Sequence, residues 1–96
     1  MAMKRVYRIC LEDIPPEPRG LEVKVYDHLT PILRWHGREI IIVSDYEADL
    51  RGVLVCFYYM ETESVDGRVI PILKKREAKV AEIEFLKSSS YYWRRE

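Results

Sequence analysis

Val53 to Met60 is an unbroken run of eight apolar residues, and it limits the possible folds of this chain more than any other feature. A membrane-spanning helix needs about 20 such residues, so the run is too short to cross a bilayer in that form. Its valines and aromatic residues favour an extended strand. Successive side chains of a strand point to opposite faces. One face therefore presents Val53, Val55, Phe57 and Tyr59, and the other presents Leu54, Cys56, Tyr58 and Met60. Glu39 to Val43, with three consecutive isoleucines, is likewise apolar on both sides and adds Ile41 and Val43 to the surface needing cover. At roughly 25 cal/mol per Å², leaving one such face bare forfeits several kcal/mol.

Most of the remaining chain also reads as strand. Lys4 to Glu12 alternates, with Tyr7, Ile9 and Leu11 on one side. Pro15, Pro16 and Pro18 close it off, because proline lacks the ladder N–H and restricts its predecessor. Leu21, Val23 and Val25 alternate with Glu22, Lys24 and Tyr26 as a half-buried strand does. Pro31 opens Ile32 to Trp35, and His36-Gly37 turns that strand into Glu39 to Val43. Asp66-Gly67 between apolar runs is a strong hairpin signal joining Val53–Thr62 to Val69–Leu73. Pro71 places the returning strand at an edge or at a bulge.

Two stretches hold the helix question. Ser44 fits an N-cap, Glu47 the capping-box position and Gly52 a terminator, so residues 45–51 are expected to form one short helix. Lys74 to Lys87 has high helix propensity. On a helical wheel, however, its apolar residues spread almost all the way round, whereas as a strand Ala81, Ile83 and Phe85 share a face. Pattern outweighs propensity here, and strand is favoured. Ser88 to Glu96 reads as a tail. The expected architecture is a mainly β single domain over residues 1–96: an antiparallel meander or partly closed barrel of about seven strands with the one short helix.

Composition narrows the setting. Asparagine and glutamine are absent, while 32 of 96 residues are Lys, Arg, Asp or Glu. Side-chain amides deamidate when hot and ion pairs are less costly to dehydrate, so this balance is expected of a hyperthermophile protein. Formal net charge is zero, which argues against indiscriminate phosphate binding of the chromatin type. The charge is uneven: residues 1–11 carry three basic groups and no acidic one, residues 12–66 sum to −7 and residues 67–96 to +4. No secretory pattern opens the chain, and the cytoplasm is the expected location. Cys10 and Cys56 lie in expected strands and read as small buried hydrophobes. A disulfide between them is the alternative, since intracellular disulfides do occur in hyperthermophiles.

Candidate chemistry is sparse. Asp45, Glu47 and Asp49 alternate, but a calcium loop needs glycine sixth and glutamate twelfth, where this chain has Leu50 and Cys56. His28 and His36 have no nearby Cys or second His, which suits turn or surface roles rather than metal ligation. There is no nucleophile elbow, phosphate loop or C-x-x-C. No catalytic residue, metal or cofactor is therefore expected, and the chain reads as a non-enzyme.

Two functions remain. The first is a protein–protein module, a homo-oligomer or an accessory subunit, using Leu54, Cys56, Tyr58 and Met60 with Ile41 and Val43. It follows from having too few covering elements for two-faced strands. The second is a small barrel reading single-stranded nucleic acid. Tyr91, Tyr92 and Trp93 would stack on bases, and Arg94 and Arg95 would bind phosphates. Arg5, Arg8, Lys74, Lys75 and Arg76 would extend this into a basic stripe if the first and last strands pair.

Overall fold

Backbone turns set the architecture. In the computed structural model, which describes residues 4–14 and 17–89, Asp66 and Gly67 have φ of 52° and 77°. Positive φ at both central residues marks a type I′ turn, whose twist suits a hairpin. Tyr26 and Asp27 repeat it with φ of 50° and 67°. Gly37 supplies positive φ to the Gly37-Arg38 loop, one residue later than the sequence pattern suggests, so His36 ends its strand.

Eight strands result among the described residues: β1 (Lys4–Leu11), β2 (Gly20–Val25), β3 (His28–Leu29), β4 (Ile32–His36), β5 (Glu39–Ser44), β6 (Val53–Val65), β7 (Arg68–Ala78) and β8 (Val80–Ser89). They form two four-stranded antiparallel sheets, ordered β4-β5-β1-β8 and β3-β2-β6-β7. This corrects the expected single meander or partly closed barrel. β1 pairs on one side with β5 and on the other with β8, both far away in sequence, and the chain then divides into two open sheets. The long strand expected over 74–87 is also two strands. β7 runs through Ala78 in one sheet, Lys79 breaks it, and β8 continues in the other. β8 extends to Ser89, into the stretch that reads as tail.

The expected helix at 45–51 is absent: among the described residues there is no helix. Seven residues make too few intrahelical bonds to offset nucleation, and side chains capture the backbone first. Ser44 Oγ accepts from the N–H of Tyr46 at 2.9 Å, closing a tight turn rather than capping a helix. Asp49 Oδ1 accepts from Arg51 N at 3.1 Å and Gly52 N at 2.8 Å. Ala48 N donates to the Tyr7 hydroxyl at 3.0 Å, tying the loop to β1.

One apolar layer joins the sheets. Tyr7, Ile9 and Leu11 of β1 with Ile40 and Ile42 of β5 meet Val23, Val25, Val53, Val55, Phe57 and Ala78. These are the inward positions that alternation assigns. Cys10 and Cys56 are both free; each lies on its strand's other face, in different sheets, so the disulfide alternative does not form.

Gly52 serves this packing differently. A Cβ there would collide with the ring of Tyr26, whose hydroxyl donates to Asp49 Oδ2 at 3.1 Å. Gly52→Ala is expected to lower the unfolding midpoint by displacing that ring. Tyr26→Ala should relieve most of the added loss, and a double-mutant cycle measures the coupling.

The four edge strands are each interrupted, although Tyr59–Val65 of β6, past the end of β2, has no partner opposite β7 among the described residues. β3 has two residues. β4 carries an extra residue, Leu33, between Ile32 and Arg34. β8 carries two, Leu86 and Ala81, where its register with β1 slips. On β7, counting from the two-residue Asp66-Gly67 loop makes Val65–Arg68 a hydrogen-bonded pair and Thr62–Pro71 a non-bonded one. The nitrogen of Pro71 therefore points to the open edge, where it offers no donor to an incoming strand. These are known devices against edge-to-edge association.

Candidate interaction surface

The sandwich covers only the first part of β6. Beyond the Tyr58–Lys75 pair, β6 and β7 continue as a two-stranded arm, and the molecule extends 57 Å along its longest axis against 32 and 23 Å across. Every residue from Met60 to Pro71 is exposed. The hairpin register assigns the arm's two faces. One carries Glu61, Glu63 and Val65 with Arg68, Ile70 and Ile72, continued by the Lys74–Glu61 ion pair at 3.1 Å. The other carries Met60, Thr62 and Ser64 with Val69, Pro71 and Leu73, and not one of these is charged.

That uncharged face runs on into the outer face of the lower ribbon. Leu54 is 37% exposed, Leu73 58% and Val69 73%. Tyr58 is half-buried and Met60 exposed. Cys56, at 9% exposure, is covered by the chain itself. Glu22 on β2 lies opposite Cys56, and Lys75 on β7 opposite Tyr58. Their 3.0 Å ion pair therefore crosses β6 diagonally between these two residues. Tyr58 completes it, with its hydroxyl 3.5 Å from Glu22 and the Lys75 ammonium 5.7 Å from its ring centroid. On the second sheet Ile41 is half-buried, whereas Val43 is 1% exposed and is enclosed within the molecule.

The basic residues singled out in the sequence are dispersed and engaged. β1 and β8 do pair. Arg8 on β1 is held between Glu39 at 3.1 Å and Glu84 at 2.6 Å, and Arg5 donates to the Asp45 carbonyl at 2.9 Å. Lys74, Lys75 and Arg76 belong to the other sheet. The first two face carboxylates, and the Arg76 guanidinium stands 5.1 Å from the Phe57 ring centroid. Tyr91, Tyr92, Trp93, Arg94 and Arg95 lie outside the described residues.

Charge pairing sets the titration behaviour. Lys75 holds the Glu22 carboxyl below the usual range mainly by their hydrogen bond, and Glu22 in turn raises Lys75. The Glu22 contribution is present above its unfolded pKa and is lost as pH falls through the lower folded value. The Lys75 contribution is present below its unfolded pKa and is lost as pH rises through the higher folded value. Wild-type stability is expected to fall in acid, below about pH 4. Glu22→Gln should flatten part of that slope in pH-dependent denaturation.

The concave features show little chemistry. One of them, about 510 Å³ and open, lies between Ala48–Arg51 and Ala81–Ile83. Its Asp49 is already committed to the 49–52 turn, where the Gly52 N–H holds its carboxyl below the usual range. His28 is exposed and stacks on Tyr46 at 4.4 Å between centroids. His36 is exposed at the end of β4. Among the described residues no three His, Cys, Asp or Glu side chains converge as a metal site requires, and no helix is long and apolar enough to cross a membrane.

The molecule is thus a small antiparallel all-β domain without an identified catalytic or cofactor site among the described residues. No protein-family model, no curated protein and no solved structure matches the chain.

Proposed function

We propose that this chain is a non-catalytic protein–protein interaction module, either self-associating or an accessory subunit of a larger assembly. One observation carries the reading: the β6–β7 ribbon projects past the core and leaves Met60, Val69 and Leu73 exposed on an uncharged arm face, with Leu54 exposed on the same side beyond the Glu22–Lys75 pair. A two-stranded ribbon is marginal in water by itself and gains from being covered. An apolar strip of this length on a surface marks an interface more often than chance exposure. The amide-free, charge-rich composition suits such work in a hot cell interior.

Nucleic-acid binding has less support, because Arg8, Lys74 and Lys75 are neutralised by neighbouring carboxylates. Light scattering from about 1 to about 200 µM, beside a low-salt oligonucleotide titration, decides between the two. Assembly without oligonucleotide binding supports the module. A monomer throughout removes the self-associating form and leaves the accessory subunit, whereas salt-sensitive binding of single strands by a monomer overturns the module reading.

A further inference from the structure

The exposed ribbon also specifies a partner. We propose that a second copy of this chain covers it. Two copies stack the outer faces of their β6–β7 ribbons antiparallel about a two-fold axis near the Met60–Leu73 pair, so each arm tip lies over the other copy's Leu54–Tyr58 row. This rests on the interaction-module reading and names its partner and surface.

Charge selects this face. In a two-fold contact, residues near the axis meet their own copies, so a charge there is placed against its like. Met60, Thr62, Ser64, Val69, Pro71 and Leu73 contain no charge, in a chain where 32 of 96 residues are charged. The arm's opposite face would oppose Glu61 and Glu63 to their own copies. At the root, the arriving tip meets Glu22 and Lys75, which already neutralise each other at 3.0 Å. Lys24 opposite Leu54 and Glu77 opposite Cys56 flank the row with opposite signs.

Area selects the overlap. A stable complex buries about 800 Å² on each partner. β6 has 13 residues; at about 3.4 Å per residue that ribbon is about 44 Å long, and two strands with their side chains span roughly 10 Å. Full antiparallel overlap gives a flat footprint of roughly 450 Å², and side-chain relief brings the accessible surface toward the required range. Contact between the tips alone covers less than half that length and falls short. Strand-to-strand extension through the four edge strands is disfavoured separately, since each is short, bulged or closed by Pro71, which leaves only the Tyr59–Val65 side of the arm open to it.

Sedimentation equilibrium of the whole chain tests this. Wild type is expected to show twice the chain mass. Leu73→Lys and Val69→Lys, at exposed positions, should each raise the dissociation constant about 100-fold or more with unchanged circular dichroism. Ile70→Lys, on the arm's other face, should leave it unchanged. A dimer indifferent to Leu73→Lys and Val69→Lys, or equally sensitive to Ile70→Lys, refutes this surface and leaves the module reading standing. A wild-type monomer at about 200 µM refutes the second-copy proposal and the self-associating form of the module, and leaves only the accessory-subunit form.

Discussion

Phe57→Ala is expected to cost about 3–5 kcal/mol of folding stability, as large-to-small changes at fully buried aromatic sites do. Domains have about 5–15 kcal/mol in total, so this one change removes roughly a fifth or more of the reserve. Phe57 is the largest fully buried side chain, on the inward face of β6 where the two sheets meet. Arg76 stands over its ring and leaves little freedom to refill the space. Leu54→Ala, three residues away on the outer face, is the control and should cost under about 1 kcal/mol in the monomer. Denaturant midpoints at unchanged slope measure both. Equal costs would mean that the assignment of inner and outer faces is wrong.

Tyr7 supports the second large effect. Its ring is buried, meets Phe85 edge-on at 5.6 Å, and its hydroxyl accepts the N–H of Ala48. Tyr7→Ala is expected to cost about 3–5 kcal/mol through lost packing. Tyr7→Phe isolates the hydroxyl: it keeps the ring, leaves the Ala48 N–H without that acceptor and costs about 1–2 kcal/mol. Its distinctive readout is faster amide exchange through the 45–52 loop, with the sheets still protected. If exchange accelerated uniformly instead, Tyr7 would not be anchoring the loop.

The strands were legible because alternation and turn chemistry are local. Val53–Met60 announces two apolar faces, Asp66-Gly67 its hairpin, and Pro71 an edge. The sheet partition was not legible, because β1 finds both partners across long separations and no residue in 4–11 names them. The ambiguity over 74–87 has a physical source. Bulges at Ala81 and Leu86 shift the in–out phase of β8, so its apolar residues seem to point everywhere. No glycine or proline marks the break at Lys79. The helix failed because Ser44 and Asp49 each satisfy backbone donors in turns, a use of the same residues that capping statistics do not separate.

The interaction row was half visible. Leu54, Tyr58 and Met60 follow from the alternation of β6. Val69 and Leu73 were missed as contributors, although counting back from Asp66-Gly67 pairs Ser64 with Val69 and Met60 with Leu73. Cys56 is buried, as its residue type suggests, but its place in the interaction row fails because Glu22 and Lys75, which flank β6, meet across it.

The interior place of β1 has a consequence for synthesis. Residues 4–11 leave a ribosome before either partner, since one side of this strand waits for residues 39–44 and the other for residues 80–89. Until then Tyr7, Ile9 and Leu11 present an unpaired, sticky segment, and closing so long a loop is slow. The nascent polypeptide is therefore most vulnerable to clumping between the release of β1 and that of β8, and chaperone demand should track the delay before residue 89 is released.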